Sequence, residues 1–224
     1  MMMSLFSMFD PVALFFLPLN WIMVFISVTL LPTPFWKMNS YPLIMVNLIN
    51  KILTTEFKAL FSMNILIKGS TILPISLFML ILINNLLSNF PYTFCLSAHL
   101  SFSLSLSLPI WLSIIIFYWM NITKSMLAHL VPTGTPSILM PLMVMIELTS
   151  NIIRPMALAV RLTANLIAGH LLMALLGSTF NPSSYMCMLI FMLQVMFLSF
   201  ELMVGVIQSY VFSVLMTLYS SEMS

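Results

Sequence analysis

The sequence predicts an all-α polytopic membrane protein: three N-terminal segments and an amphipathic interfacial helix, then a hairpin of two long, steeply tilted intramembrane helices. Of its 224 residues 62% are hydrophobic and only 5% are charged, whereas a soluble domain carries about 25% charged residues. Uncharged runs long enough to cross a bilayer recur along the chain, and the last two are much longer than one crossing needs. Too few charges are available to cover a water-facing surface, so a lipid environment is expected.

Several classes of function are excluded by the same composition. A formal net charge of +2 supplies no phosphate-neutralising surface, so we expect no nucleic-acid partner. Cys95 and Cys187 are far apart in apolar surroundings, which argues against a disulfide framework or a zinc cluster. No glycine-rich loop that would cradle a phosphate is present. We therefore expect no metal, no cofactor and no catalytic site of its own.

The first predicted span covers residues 12–31. These 20 residues carry no charge, and at 1.5 Å per residue they can cross a hydrocarbon core of about 30 Å. Pro32 and Pro34 follow and end the predicted helix.

Residues 36–68 predict an amphipathic helix that lies along the membrane interface. Lys51, Thr54, Thr55 and Lys58 recur at helical spacing, and leucine, isoleucine and phenylalanine fill the other side. A helix of this kind turns its lysines toward water and its apolar side toward lipid.

Two further spans are predicted at residues 71–87 and 104–120. In the stretch from Ser101 to Leu108, serine and leucine alternate, which is the period of a β-strand. We nevertheless predict a helix there, because an open strand edge cannot face lipid.

The lysines give the orientation. Lys37, Lys51, Lys58 and Lys68 follow the first span and Lys124 follows the third, so all five fall on one side of the membrane. By the positive-inside rule this is the matrix or cytoplasmic side, and the N-terminus lies on the other.

The remaining chain predicts a helical hairpin, formed by residues 137–177 and 185–218. As helices these runs would be about 60 Å and 50 Å long at 1.5 Å per residue. An upright helix needs only about 20 residues, so each arm must break or tilt steeply.

Most of the intramembrane ionisable residues fall on this hairpin. Glu147, Arg154 and Arg161 are spaced by seven on the first arm, and Asn165 continues their stripe. Gln194, Glu201 and Gln208 repeat that spacing on the second arm. An arginine at the centre of a membrane costs about 3 kcal/mol or more, so Arg161 is expected to face a partner or a water-filled cavity.

Structural explanations of these residues remain open at this point. Glu147 can pair with Arg154 simply to neutralise both charges. Glu201 and His170 can form a buried hydrogen-bonded pair with no part in transport.

The motif Arg161-Leu-Thr-Ala-Asn165-Leu-Ile-Ala-Gly169-His170 resembles the subunit a family of F-type ATP synthases. So do Ala128-His129-Leu-Val-Pro132-Thr-Gly134-Thr-Pro136, the segment Pro155-Met-Ala-Leu-Ala-Val, and Gln208-Ser-Tyr210-Val-Phe212. The resemblance covers most of the chain from about residue 84 to 219, and the order of His170 and Glu201 resembles the mitochondrial members.

The resemblance implies a stator subunit that gives protons two offset half-channels beside a rotating c-ring of small helical-hairpin subunits. It implies that Arg161 is the essential arginine, that Glu147 is the matrix-side carboxylate, and that His170 and Glu201 serve the intermembrane side, with Asn165 and Gln208 near the arginine. It further implies a multi-pass protein of the mitochondrial inner membrane, with its N-terminus in the intermembrane space and its C-terminus in the matrix. The implied partners are the c-ring, other membrane-sector and peripheral-stalk subunits, the lipid bilayer and protons.

Two alternatives are kept: a respiratory-chain membrane subunit that holds a redox cofactor, and a purely structural membrane subunit. A bis-histidine haem site needs histidines that face one another across a bundle, and only His170 among the three lies well inside a predicted membrane helix.

Overall fold

The computed structural model describes residues 5–12, 18–32, 40–61, 71–90, 93–131, 136, 138–179 and 186–222. Within these ranges the chain forms helices and turns and no β-strand, which confirms the predicted all-α class. The α-helices are α1 (Met23–Thr29), α2 (Tyr41–Phe61), α3 (Ile72–Ser88), α4 (Leu100–Asn121), α5 (Thr123–His129), α6 (Met140–Ser178) and α7 (Cys187–Glu222). Short 3-10 helices cover Leu5–Phe9, Leu19–Ile22 and Leu96–Ala98.

The structure describes only part of the first predicted span, residues 12–31. The described helical segment runs from Leu19 to Thr29, with a 3-10 turn that leads into α1, and residues 13–17 lie outside the described residues. Pro18 precedes the turn, and a proline has no N–H to donate within a continuous helix. Its carbonyl instead accepts a hydrogen bond from the N–H of Trp21 at 3.4 Å. The described segment is about 16 Å long at 1.5 Å per residue, shorter than a membrane core.

The described part of the predicted interfacial helix is α2. Residues 33–39 and 62–70, which include Lys37 and Lys68, lie outside the described residues. Leu53 and Phe57, one turn apart, are buried against α3. Lys51 and Lys58 are exposed, and so is a second apolar face with Ile44, Leu48 and Ile52. An interfacial helix would turn this exposed apolar face toward lipid. The orientation of α2 along a membrane surface stays a prediction.

The serine-rich stretch from Ser101 to Leu108 is helical and forms the first half of α4. Two of its hydroxyls bond carbonyls of their own helix: Ser103 Oγ donates to Leu100 O at 3.1 Å, and Ser105 Oγ to Phe102 O at 2.8 Å. A hydroxyl satisfied in this way can sit in an apolar environment without a partner from another helix. Helix α5, which follows a break at Ile122, was not predicted.

Helices α3, α4, α6 and α7 pack in alternating directions around one core. Its buried members come from three of the helices: Leu77 and Ile81 of α3, Leu158 and Leu162 of α6, and Phe212 and Met216 of α7. Leu106 and Ile110 of α4 pack against them. Burial of each such side chain contributes about 1.5–3 kcal/mol.

The two ends of the bundle are named by what they contain. One end holds the α3–α4 connection, residues 89–99, and is called the loop end. The opposite end holds the end of α4 and Lys124 and is called the lysine end.

Helix α7 approaches its neighbours through a stripe of small residues: Gly205, Ser209, Ser213, Thr217 and Ser220, all buried. Small residues let helix backbones come close in membranes. Asn85 Nδ2 donates to Gly205 O at 3.1 Å toward the loop end, and Tyr118 Oη donates to Ser220 O at 2.6 Å toward the lysine end. These two bonds hold α7 against α3 and α4 at both ends of the bundle.

Three helices in the described parts of the chain are long and apolar enough to cross a membrane, namely α4, α6 and α7. Helix α6 has 39 residues and α7 has 36, so both exceed the roughly 20 residues of an upright span. Their steep tilt remains a prediction.

Candidate functional site

Arg161 lies exposed in the middle of α6. The residues beside it on the same exposed face are small or polar: Ala157, Ala164, Asn165 and Ala168. Its guanidinium has no ion-pair partner among the residues that the structure describes. The chain therefore presents a permanent positive charge on an open surface of its longest helix, next to residues that allow another helix to come close.

Glu147 lies on α6 near the lysine end and contacts Arg154. Glu147 Oε1 and Arg154 Nη2 are 3.8 Å apart, and the side chains are 39% and 28% exposed, respectively. The Arg154 guanidinium also lies over the ring of Tyr219 on α7, 5.1 Å from its centroid. The predicted ion pair thus forms, but at this distance and exposure it contributes little, on the order of 0–1 kcal/mol.

Glu147 and Arg154 open into a cavity of about 330 Å³ between α4, α5 and α6. Trp111, Trp119 and Asn151 also line it. Pro155 follows within α6 and has no N–H to donate to the carbonyl of Asn151, four residues earlier. A freed helix carbonyl, an amide side chain and a carboxylate therefore meet at one cavity, and water can bridge such groups.

Glu201 lies on α7 against Gly169 of α6, toward the loop end. A Cβ atom placed on Gly169 would lie 2.9 Å from Glu201 Cδ and 3.0 Å from its Cγ, so a larger residue at this position would displace the carboxylate. Glu201, Gly169 and Asn165 line a second cavity, of about 280 Å³. The structure therefore brings Glu201 and Asn165, from different helices, to one space beside the exposed face of Arg161.

His170 follows Gly169 and lies against the N-terminal 3-10 helix, with its ring edge-on to Phe9 at a centroid distance of 6.5 Å. His170 Nε2 and Glu201 Oε1 are both buried and have no hydrogen-bond partner within the described ranges. The predicted His170–Glu201 hydrogen bond is thus not formed by these two atoms. A buried polar atom without a partner costs about 1–3 kcal/mol, which a bridging water removes.

Gln208 is half-buried on α7, between Glu201 and Tyr219, and lines neither of these two cavities. Glu147 lies beside Trp119 in the second half of α4, whereas Glu201 lies within electrostatic reach of Cys95 in the α3–α4 connection. The two acids are therefore at opposite ends of the bundle, with Arg161 between them along α6.

Some residues at the loop end were not found by reasoning from the sequence. Asn84, Asn85 and Ser97 are each no more than 3% exposed, and each keeps a side-chain atom without a partner in the described part of the chain. The adjacent asparagines in an otherwise apolar α3 were the one available signal. No grouping of histidine, cysteine or acidic residues able to hold a metal ion occurs within the described residues.

Comparison with known proteins gives one consistent result. A family model described as ATP synthase A chain matches residues 3–221. The chain is 52% identical over 225 residues to ATP synthase subunit a of Drosophila melanogaster, with all of both chains covered. It is 49% identical over 227 residues to that of Aedes aegypti, again over both full lengths, and 48% identical over 225 residues to that of Locusta migratoria, with 99% of each chain covered.

Proposed function

Because the chain belongs to the ATP synthase A chain family, the proton-translocating subunits of the ATP synthase membrane sector, we propose that Arg161 separates two proton half-channels that both open onto a rotating c-ring. One half-channel contains Glu147. The other contains Glu201, His170 and Asn165, with Gln208 between this group and the lysine end. The respiratory-chain and purely structural alternatives are not favoured by this family membership.

The observation that carries the proposal is the guanidinium of Arg161, which is exposed and has no ion-pair partner among the described residues. A lone arginine facing hydrocarbon costs about 3 kcal/mol or more, so its face must be covered by another polar surface. It has no ion-pair partner in the described part of the chain. A ring subunit that presents a carboxylate to Arg161 would satisfy the charge, and Ala164 and Ala168 leave space for its helix.

The two cavities support half-channels that each reach only part of the way across. In the direction of synthesis, a proton enters past His170 and Glu201 and neutralises a ring carboxylate. A neutral carboxyl can face lipid and an ionised one cannot, so the ring can turn only after this step. After nearly a full turn, Arg161 favours the ionised carboxylate and the proton leaves toward Glu147. Each proton that moves down 100 mV releases about 2.3 kcal/mol, so several are needed for one ATP.

The distribution of charges supports the orientation. Lys58 in the last turn of α2 and Lys124 in α5 lie near the end that holds Glu147, and that end is proposed to face the matrix. The N-terminus and the loop end would then face the intermembrane space. The chain is a multi-pass protein of the mitochondrial inner membrane and a member of the ATP synthase complex. Its proposed neighbours are the c-ring, other membrane-sector subunits and the peripheral stalk.

Site-directed cross-linking tests this assignment. A cysteine at Ala168, on the exposed face of Arg161, should form a disulfide with a cysteine on the outer helix of a ring subunit in the intact complex. A cysteine at Phe117, which is 42% exposed on α4, serves as the control and should form none. Cross-linking of both positions, or of neither, to the ring would contradict the proposal that the Arg161 face contacts it.

A further inference from the structure

His99 lies at the loop end and is partly exposed. It directly precedes α4, and its ring stacks on Phe94 with a centroid distance of 4.9 Å and an interplanar angle of 29°. The ring of Trp21 lies 5.6 Å away. The imidazole also lies close to the backbone of Phe9, and its Nε2 is buried with no hydrogen-bond partner among the described residues.

Phe9 connects His99 to the site already described. Its backbone lies beside the imidazole of His99, and its ring lies against His170. It also packs beside Cys95, Ala98 and Leu166. The two imidazoles therefore lie on either side of one residue.

Several buried polar atoms of the loop end and of its neighbours on α6 and α7 lack partners within the described ranges. They belong to Asn84 and Asn85 of α3, to Asn89 directly after it, to Ser97, and to His170 and Glu201. Several such atoms at one end of a helical bundle would together cost several kcal/mol if dry, at about 1–3 kcal/mol each. Water that bridges them removes this cost and supplies a path for protons from the loop end to Glu201.

We propose that His99 is the residue that exchanges protons between bulk water and this hydrated path, and that it thereby loads the half-channel that ends at Glu201. The inference rests on the proposed function and adds its point of proton entry. The neutral imidazole takes a proton from outside water, giving an imidazolium, and the buried Nε2 then passes a proton to a water on the inner side. One proton enters and one leaves, so the ring ends neutral as it began.

Burial lowers the pKa of His99 below its usual value near 6.5. The neutral imidazole is therefore the resting form at neutral pH, ready to accept a proton. The other titratable groups on elements that pack around it are Asp10, which is exposed after the first 3-10 helix, Cys95, His170 and Glu201. Burial raises the pKa of Cys95 to about 11, so this thiol does not titrate in the same range.

The test replaces His99 in the intact complex in vesicles and varies the pH on the loop-end side alone. We expect His99→Gln to slow proton-driven ATP synthesis by about tenfold or more at an outer pH above about 7.5, where free protons are scarce. At about pH 5.5 the difference from the wild type should shrink. Imidazole buffer added on the loop-end side should restore the rate in proportion to its concentration, and imidazole on the other side should not.

Trp21→Phe is the matched control, because it alters the packing of the same ring cluster without removing a titratable group. It should show neither the pH-dependent loss nor a response to imidazole. His99→Asn, assayed per assembled complex, provides a second neutral replacement if His99→Gln assembles poorly.

The proposal is overturned if both neutral variants keep the wild-type rate and pH profile. It is also overturned if their loss is independent of outer pH and insensitive to imidazole, as a packing defect would be. Loss of synthesis in Arg161→Gln at every pH and buffer concentration tests the proposed function separately. If Arg161→Gln retains synthesis while imidazole still rescues the His99 variants, His99 remains an entry residue and the proposed role of Arg161 is wrong.

Discussion

Two arginines that are seven residues apart on α6 have different surroundings. Arg154 lies 3.8 Å from Glu147 and 5.1 Å from the ring centroid of Tyr219, so its charge is partly neutralised within the chain. Arg161 is exposed and has no ion-pair partner in the described ranges. The same residue type thus has two kinds of surroundings: Arg154 contacts α7, and the proposed function assigns Arg161 to a group outside the chain.

Gly169 determines where the Glu201 carboxylate lies, and this gives a prediction at the scale of single residues. Gly169→Ala would place a methyl group 2.9 Å from Glu201 Cδ. The overlap should cost about 1–3 kcal/mol or displace the carboxylate. We expect proton-driven ATP synthesis per assembled complex to fall by about tenfold, which corresponds to about 1.4 kcal/mol in the barrier.

Gly177→Ala is the control for this substitution. The nearest side-chain atom to a Cβ at Gly177 is Gln194 Nε2 at 3.6 Å, an ordinary contact. This variant lies on the same helix and faces the same neighbour, and it should retain nearly the wild-type rate. Equal rates in the two variants would show that the position of Glu201 against Gly169 does not matter for transport.

At the scale of helices, the lengths of the long apolar runs could be predicted from the sequence, whereas the breaks between helices could not. The long runs 137–177 and 185–218 correspond closely to α6 and α7, although the first run contains Glu147, Arg154 and Pro155. Within the first predicted span, hydropathy does not register the missing N–H of Pro18, which precedes the 3-10 turn Leu19–Ile22. The break at Ile122 that separates α5 from α4 was not predicted from the sequence.

The sides on which the helices end give a prediction at this scale. Single cysteines at Lys58 and Lys124 should react with an impermeant thiol reagent from the matrix side, and a cysteine at His99 should react from the opposite side. The lysine count and the alternating directions of α3, α4, α6 and α7 both lead to this expectation. Labelling of positions 58 and 124 from different sides would refute the proposed topology.

Across the whole molecule, the two acids were predictable and the polar environment of Glu201 was not. Glu147, Arg161 and Glu201 could be identified because a charge within an apolar run is costly and therefore conspicuous. Asn84, Asn85 and Ser97 come from two segments in which a single polar residue is unremarkable. Only the packing of α3, the α3–α4 connection, α6 and α7 brings them toward Glu201, and that packing depends on distant small residues such as Gly205 and Gly169.

The orientation of the His170 side chain was harder to predict than its position along α6. Helical spacing places it on a different face from Arg161. Its observed neighbour, Phe9, comes from a 3-10 helix more than 150 residues earlier in the chain, and no periodicity within α6 carries that information.

The central claim is that Arg161 supplies the permanent positive charge that separates the two half-channels. The most direct measurement is ATP synthesis driven by an imposed proton gradient in vesicles that contain equal amounts of assembled complex. Arg161→Gln removes the charge, and Arg161→Lys replaces it with an ammonium that can lose its proton when desolvated, whereas a guanidinium cannot. We predict that both variants abolish synthesis while the detached catalytic head still hydrolyses ATP, and that Arg154→Gln, two turns away, has a much milder effect. Synthesis by the Arg161→Gln complex at a substantial fraction of the wild-type rate would contradict the account.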